Sequence, residues 1–311
     1  MIPTVLVATW RDGVFIAGTT LAHELAGHHV CGLTHDGHGA ALAIIDEHSL
    51  CARAVDGTWR TLASSELALA CCVSVGGTLY AGTDDARVLR LVQGALEPLR
   101  SFDEVAGRAT WYAGAALING QLLGPPLGIR SMCATCDQAV VLANVHVGGI
   151  PRSSDAGVTW QPTIPIDTDV HQVSAHPKRP ELVAAAAAVG LCMSRDGGVT
   201  WTTEQEGLHA PYCAAVAFCG DDVLVSAATD HFASEGGIYR RAIEQRGPLS
   251  RVNAGLPRWL SGIPDTGCIA ATGKVAAIAD RRGHLYVSLD AGGTWKQQAE
   301  GLPPPSGVLV C

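Results

Sequence analysis

Lysine is nearly absent: Lys178, Lys274 and Lys296 are the only three in 311 residues. The formal net charge is −8 and the pI lies near 5.8. The chain therefore lacks the basic surface that nucleic acid or an anionic membrane would recruit, and neither is expected as a partner. The stretch Met1–Trp10 has no basic segment and no long apolar core, so it does not read as a secretory signal. No apolar run approaches the ~20 residues of a membrane span. These absences lead us to expect a cytoplasmic protein. Missing too is any long helical period, which leaves strands as the main element. The metal-binding pattern His-Glu-x-x-His does not occur. Cys133 and Cys136 form one Cys-x-x-Cys, but no second pair exists to complete a zinc site. The eleven cysteines are an odd number, and in a reducing compartment they are expected to be free thiols that pack.

What the sequence does contain is one phrase written three times, Ser-x-Asp-x-Gly-x-Thr-Trp. The copies are Ser153–Trp160, Ser194–Trp201 and Ser288–Trp295. Trp160 and Trp201 lie 41 residues apart, while Trp201 and Trp295 lie 94 apart, close to two further periods. A period of ~40–50 residues marks propellers and solenoids. The phrase makes sense as a turn, because Ser and Asp side chains bond nearby backbone N–H groups and glycine admits positive φ. A partial copy, Asp56-Gly57-Thr58-Trp59, stands earlier. The phrase is similar to the Asp-box, or BNR, repeat of sialidase-like β-propellers. That resemblance implies an all-β propeller in which the box joins the third and fourth strands of a blade, away from the ligand face.

The strand signals fit this reading. Inner strands are expected at His29–Thr34, Ala68–Val75, Arg130–Thr135, Val170–Ala175, Tyr212–Phe218 and Cys268–Thr272. The last apolar stretch, Ser306–Cys311, has no partners after it. If it forms the innermost strand of a blade whose other strands come from the N-terminus, the ring closes and no sheet edge is left open. Seven blades result, with six as the alternative, in one domain over residues 1–311. The segment Asp103–Gly128 breaks the rhythm and reads as a long inserted loop carrying Trp111 and Tyr112. His35, Asp36 and His38 look like a metal tract, but Asp36-Gly37 reads better as a hairpin turn on the opposite face.

In a propeller, the loops entering each inner strand share one mouth of the central channel with the loops between second and third strands. That assignment collects a polar funnel. His171, His209, Tyr212, Asp169 and Arg130 are its candidate catalytic residues. Trp10, Arg11, His231, Asp265 and Arg281 are its candidate ligand-binding residues. The expected ligand is a small polar or anionic molecule. His29, His146, His171 and His209 could hold one divalent transition metal, with Asp169 as ligand or support. The sialidase resemblance implies a different use: Arg11, Arg130 and Arg281 as a carboxylate grip, with Tyr212 and Glu206 as nucleophile pair. The Arg-Ile-Pro motif of that family is absent. A third possibility is a non-catalytic platform for a protein partner, as the resemblance to Asp-box assembly factors implies.

Overall fold

The computed structural model describes residues 3–37, 39–112, 116–118, 121–123 and 127–311, with backbone alone for 116–118 and 121–123. His38 and residues 124–126 lie outside the described residues. Seven antiparallel sheets form a seven-bladed β-propeller. The inner strands of blades 2 to 7 are Val30–His35, Leu69–Val75, Ile129–Ala134, Val170–Ala175, Tyr212–Cys219 and Ile269–Thr272. Each of these blades then runs outward in chain order to a fourth strand. Blade 1 is built from both ends of the chain. Pro305–Val310 is innermost, followed by Val5–Thr9, Val14–Ala17 and Leu21–Glu24. Val5 pairs with Val310, Leu6 with Leu309 and Val7 with Val308. No helix among the described residues is long and apolar enough to cross a membrane.

The sequence of each strand follows its distance from the axis. Second strands are covered on both faces by neighbouring blades, so most of their residues are apolar. Val5–Thr9, Ala41–Ile45 and Val183–Ala187 are buried at every position. Fourth strands line the outer rim, and Leu21–Glu24 is mostly exposed. The blades crowd most closely at the axis, where Cys31, Cys71, Cys133 and Cys213 supply small apolar side chains. All eleven cysteines are free, and Cys311 is the exposed one. Burial pushes the Cys31, Cys133 and Cys219 thiols up to about 12. Since the thiolate is the nucleophile, alkylation of the native protein at pH 8 should label Cys311 first. Peptide mass mapping that finds Cys31 or Cys133 labelled as fast would contradict this packing.

The three repeated turns are alike bond for bond. Ser153, Ser194 and Ser288 each donate a hydroxyl bond of 2.8 Å to the Asp two residues on. Each also accepts the backbone N–H of Gly157, Gly198 or Gly292 at 2.8–2.9 Å. The Thr of each turn donates its N–H and hydroxyl to the same Asp. All three turns join third and fourth strands. The partial copy keeps the Thr58-to-Asp56 bonds. Replacing Ser194 by Ala would strand a buried glycine N–H, at a cost of about 1–3 kcal/mol in urea unfolding.

These bonds hold the Asp155 and Asp290 carboxyls down at about 2, chiefly through Thr159 and Thr294. A carboxyl that ionises more readily when folded stabilises fully above its unfolded value near ~4. That stabilisation fades as pH falls toward about 2. The urea midpoint should therefore drop between pH 4 and 2.5, and drop less in an Asp155→Asn, Asp290→Asn double variant.

Adjacent blades are also clamped through glycine. Gly207 and Gly255 follow the fourth strands of blades 5 and 6, at φ +88° and +84°. A Cβ on either would lie 2.0 Å from the carbonyl oxygen of Leu249 or 1.9 Å from that of Trp295. Leu249 and Trp295 belong to the next blade along, and their N–H groups donate to Glu206 and Ala254 at 2.8 and 2.9 Å.

The segment after blade 3 begins with a helical turn, Arg100–Asp103, and a 3-10 turn, Arg108–Thr110. Phe102 and Trp111 are buried. The Phe102 ring lies 5.0 Å edge-on from Trp160 and 5.9 Å from Trp111. Tyr112 is exposed.

Candidate functional site

The inner strands surround a channel-shaped cavity of about 610 Å3. Polar side chains from several blades gather where the fourth-to-first and second-to-third loops meet it. His146 follows the second strand of blade 4, Val141–Val145. Asp169 leads into the inner strand of blade 5 and holds a left-handed φ of +51°. His171 is the second residue of that strand and falls in a bulge: Val170 pairs with Ala187 and Gln172 with Ala186, leaving His171 as the extra residue. Arg130 occupies the same position in blade 4, between the pairs Ile129–Val145 and Ser131–Asn144. Bulges re-aim side chains and recur beside functional sites.

Three of these residues meet. Asp169 Oδ1 lies 3.3 Å from His146 Nε2 and 3.7 Å from His171 Nε2. One ligating atom from each residue lies within 4.8 Å of the other two. His146 and His171 are only 4% and 1% exposed. Burial alone would raise the Asp169 carboxyl, but the facing imidazoles outweigh it and hold the group well below the usual range. Oδ1 is nevertheless a buried oxygen with no well-formed hydrogen bond to a described residue. His171 Nδ1 lies 2.6 Å from the Cys213 carbonyl oxygen. A carbonyl only accepts, so Nδ1 carries a proton and Nε2 is the nitrogen that faces Asp169.

Tyr212 packs its ring 4.6 Å from that of His171. Burial pushes its phenol up, so it stays protonated across the physiological range. Its hydroxyl makes no hydrogen bond to a described residue. Arg130 Nη2 reaches Asp265 Oδ1 and Thr266 Oγ1, both at a long 3.4 Å. His231 Nδ1 stands 3.9 Å from Asp265 Oδ2. Burial would raise the Asp265 carboxyl, but Arg130 and the Thr266 N–H draw it down. Thr266 donates its hydroxyl to the His171 carbonyl at 3.1 Å. Gln172 accepts N–H bonds from Gly267 at 3.0 Å and Val216 at 3.3 Å, tying blades 5, 6 and 7 together beneath the mouth. The sequence reading passed over Thr266 and Gln172. Their one signal is a polar residue within an otherwise small and apolar inner strand, or just before it.

The remaining candidates stand elsewhere around the mouth or outside it. Trp10 borders the cavity, half exposed, with its ring 5.2 Å from His29. His29 Nδ1 lies 3.5 Å from Glu47. Asp84 also lines the cavity. Burial raises its carboxyl, and Glu47 and Asp85 raise it further. Arg281 donates to the His231 carbonyl at 2.7 Å, and Arg11 and Glu206 are exposed. His209 bonds the Tyr239 hydroxyl through Nδ1 at 2.7 Å and tilts against Trp259 at 4.6 Å. The four histidines 29, 146, 171 and 209 thus do not form one cluster. The described residues bring His146 and His171 together around Asp169.

No family model matches this sequence, and no curated protein matches it. Solved structures do. A candidate 6-phosphogluconolactonase from Bacteroides uniformis superposes with a TM-score of 0.63 at 16% identity, over 100% of this chain and 99% of that one. An ancestral GH74 enzyme gives 0.63 at 13% identity, covering 87% of this chain and 38% of its own length. The GH74 xyloglucanase from Xanthomonas campestris gives 0.59 at 17%, covering 87% and 45%. The likeness is one of fold. This chain spans less than half the length of either GH74 enzyme.

Proposed function

We propose that the funnel binds a small polar molecule and that the chain is an enzyme acting on it, with Asp169, His171 and Tyr212 at the reacting centre and Arg130 orienting the ligand. We further assign the three repeated turns to the Asp-box type, given their shared bond pattern. The observation that carries the functional reading is the convergence of these groups from blades 4, 5 and 6 near one channel mouth, with the Tyr212 hydroxyl making no hydrogen bond to a described residue. A neutral phenol beside a buried imidazole can donate a proton to a substrate oxygen, while the imidazole handles the complementary transfer. Apolar walls with a few convergent polar groups are the usual form of a small-molecule site.

The test is a thermal-shift screen of lactones, hydroxy acids and glycosides against purified protein. A true ligand should bind Tyr212→Phe and Arg130→Gln variants roughly 10-fold or more weakly, about 1.4 kcal/mol or more. Ligands that bind these variants as well as the parent would remove the funnel from consideration.

One observation favours glycoside hydrolysis as a second reading. Asp84 and Asp265 line the same cavity with their carboxyls displaced in opposite directions, Asp84 upward and Asp265 downward. A raised acid and a lowered carboxylate are the division of labour that glycosidases use. Hydrolysis of fluorogenic glycosides, sialosides included, should then fall about 100-fold or more in Asp84→Asn. Inert parent protein across the panel would end this reading.

A further inference from the structure

We infer that His146, Asp169 and His171 form a binding site for one divalent transition-metal ion, held by two imidazole nitrogens and one carboxylate oxygen. The inference is independent of what the funnel binds. It starts from the His171 Nδ1 proton, fixed on the Cys213 carbonyl at 2.6 Å. With Nδ1 held there, the ring turns Nε2 toward Asp169 Oδ1, a buried oxygen with no well-formed hydrogen bond to a described residue. The two atoms stand 3.7 Å apart. A proton shared between them would draw them to about 2.7–2.9 Å, the length of a charge-assisted bond. An ion at about 2.0–2.2 Å from each ligand would instead set neighbouring ligand atoms roughly 3.0–3.4 Å apart. The observed 3.3 and 3.7 Å to His146 and His171 sit at or just beyond that spacing.

The supporting structure agrees. Metal-bound imidazoles commonly anchor their other nitrogen on a backbone carbonyl, as His171 does. Asp169 is aimed by a left-handed backbone and His171 by a bulge, both rigid placements. Two nitrogens and one oxygen suit Zn2+ or Fe2+ rather than Ca2+ or Mg2+. Three protein ligands leave a position that a water or a substrate oxygen would take.

The test uses the full chain without a histidine tag, stripped with chelator and dialysed. Titration with Co2+ should produce a visible d–d band that saturates at one equivalent and is displaced by Zn2+. Asp169→Asn and His146→Gln should each weaken binding about 100-fold or more, beyond the 10–100-fold typical of supporting residues. His209→Ala should leave it unchanged. Circular dichroism would confirm that each variant is folded. A second readout needs no variant: in 15N-histidine spectra, Zn2+ should shift the Nε2 signals of two histidines while the Nδ1–H of one persists. No saturable binding by the parent chain overturns the inference. So does binding that survives both substitutions, or a histidine spectrum that Zn2+ leaves unmoved.

Discussion

Deleting residues 305–311 is expected to abolish cooperative folding. Pro305–Val310 is buried at all six positions and pairs with Val5–Thr9 to close the ring. Val308, Leu309 and Val310 pack into the cores on both sides of blade 1. Burial of three such side chains contributes roughly 5–9 kcal/mol at ~1.5–3 kcal/mol each. That is comparable with the whole stability of a typical protein, about 5–15 kcal/mol. The loss also bares Val5–Thr9, a mostly apolar strand edge open to pairing with other molecules. The truncated chain should aggregate or melt without a sharp transition, and a synthetic peptide of residues 305–311 should partly restore the melt. A truncated protein that melts within a few degrees of the parent would show that the closure contributes little.

The second large effect is expected from Gly255→Ala. At φ +84° an alanine is already disfavoured by about 1–2 kcal/mol. Its methyl would also lie 1.9 Å from the Trp295 oxygen and 3.0 Å from the Trp295 nitrogen. The neighbouring strand cannot withdraw without breaking the Trp295-to-Ala254 bond of 2.9 Å. We expect a cost above about 4 kcal/mol, or insoluble protein. Gly301→Ala is the matched control, with φ +70° and open space where its methyl would sit. It should cost only the backbone term. Equal urea midpoints for the two variants would mean that the contact between blades 6 and 7 is not rigid.

The architecture was legible because each strand carries the mark of its place. The repeated turn phrase gave the period, strand signals alternating with turn signals filled it, and the Ser306–Cys311 stretch implied the closure now seen at Pro305–Val310. The inner strands expected at Val170–Ala175 and Tyr212–Phe218 lie at Val170–Ala175 and Tyr212–Cys219. The site was only half legible. A loop's place in the strand order tells which face it occupies, but not how far from the axis its side chain ends. His209 and His171 both stand near the entry to an inner strand, yet His209 bonds Tyr239 and packs on Trp259 while His171 turns toward Asp169. His171 is the second residue of its strand, whereas His209 lies in the loop three residues before Tyr212, a distinction finer than strand boundaries read from sequence allow.

One consequence follows from how the trio is shared out. His146 comes from blade 4, Asp169 and His171 from blade 5, and the Tyr212 ring that backs them from blade 6. No single repeat unit carries the proposed site. Propellers are thought of as modules that can be copied, lost or exchanged, and duplicating one unit here would preserve the fold while separating the partners. On the proposed reading, the junctions between blades 4, 5 and 6 are therefore the inheritable unit of function. A chimera that grafts blade 5 alone into another propeller would carry Asp169 and His171 without His146, while a graft of all three blades would carry the trio intact.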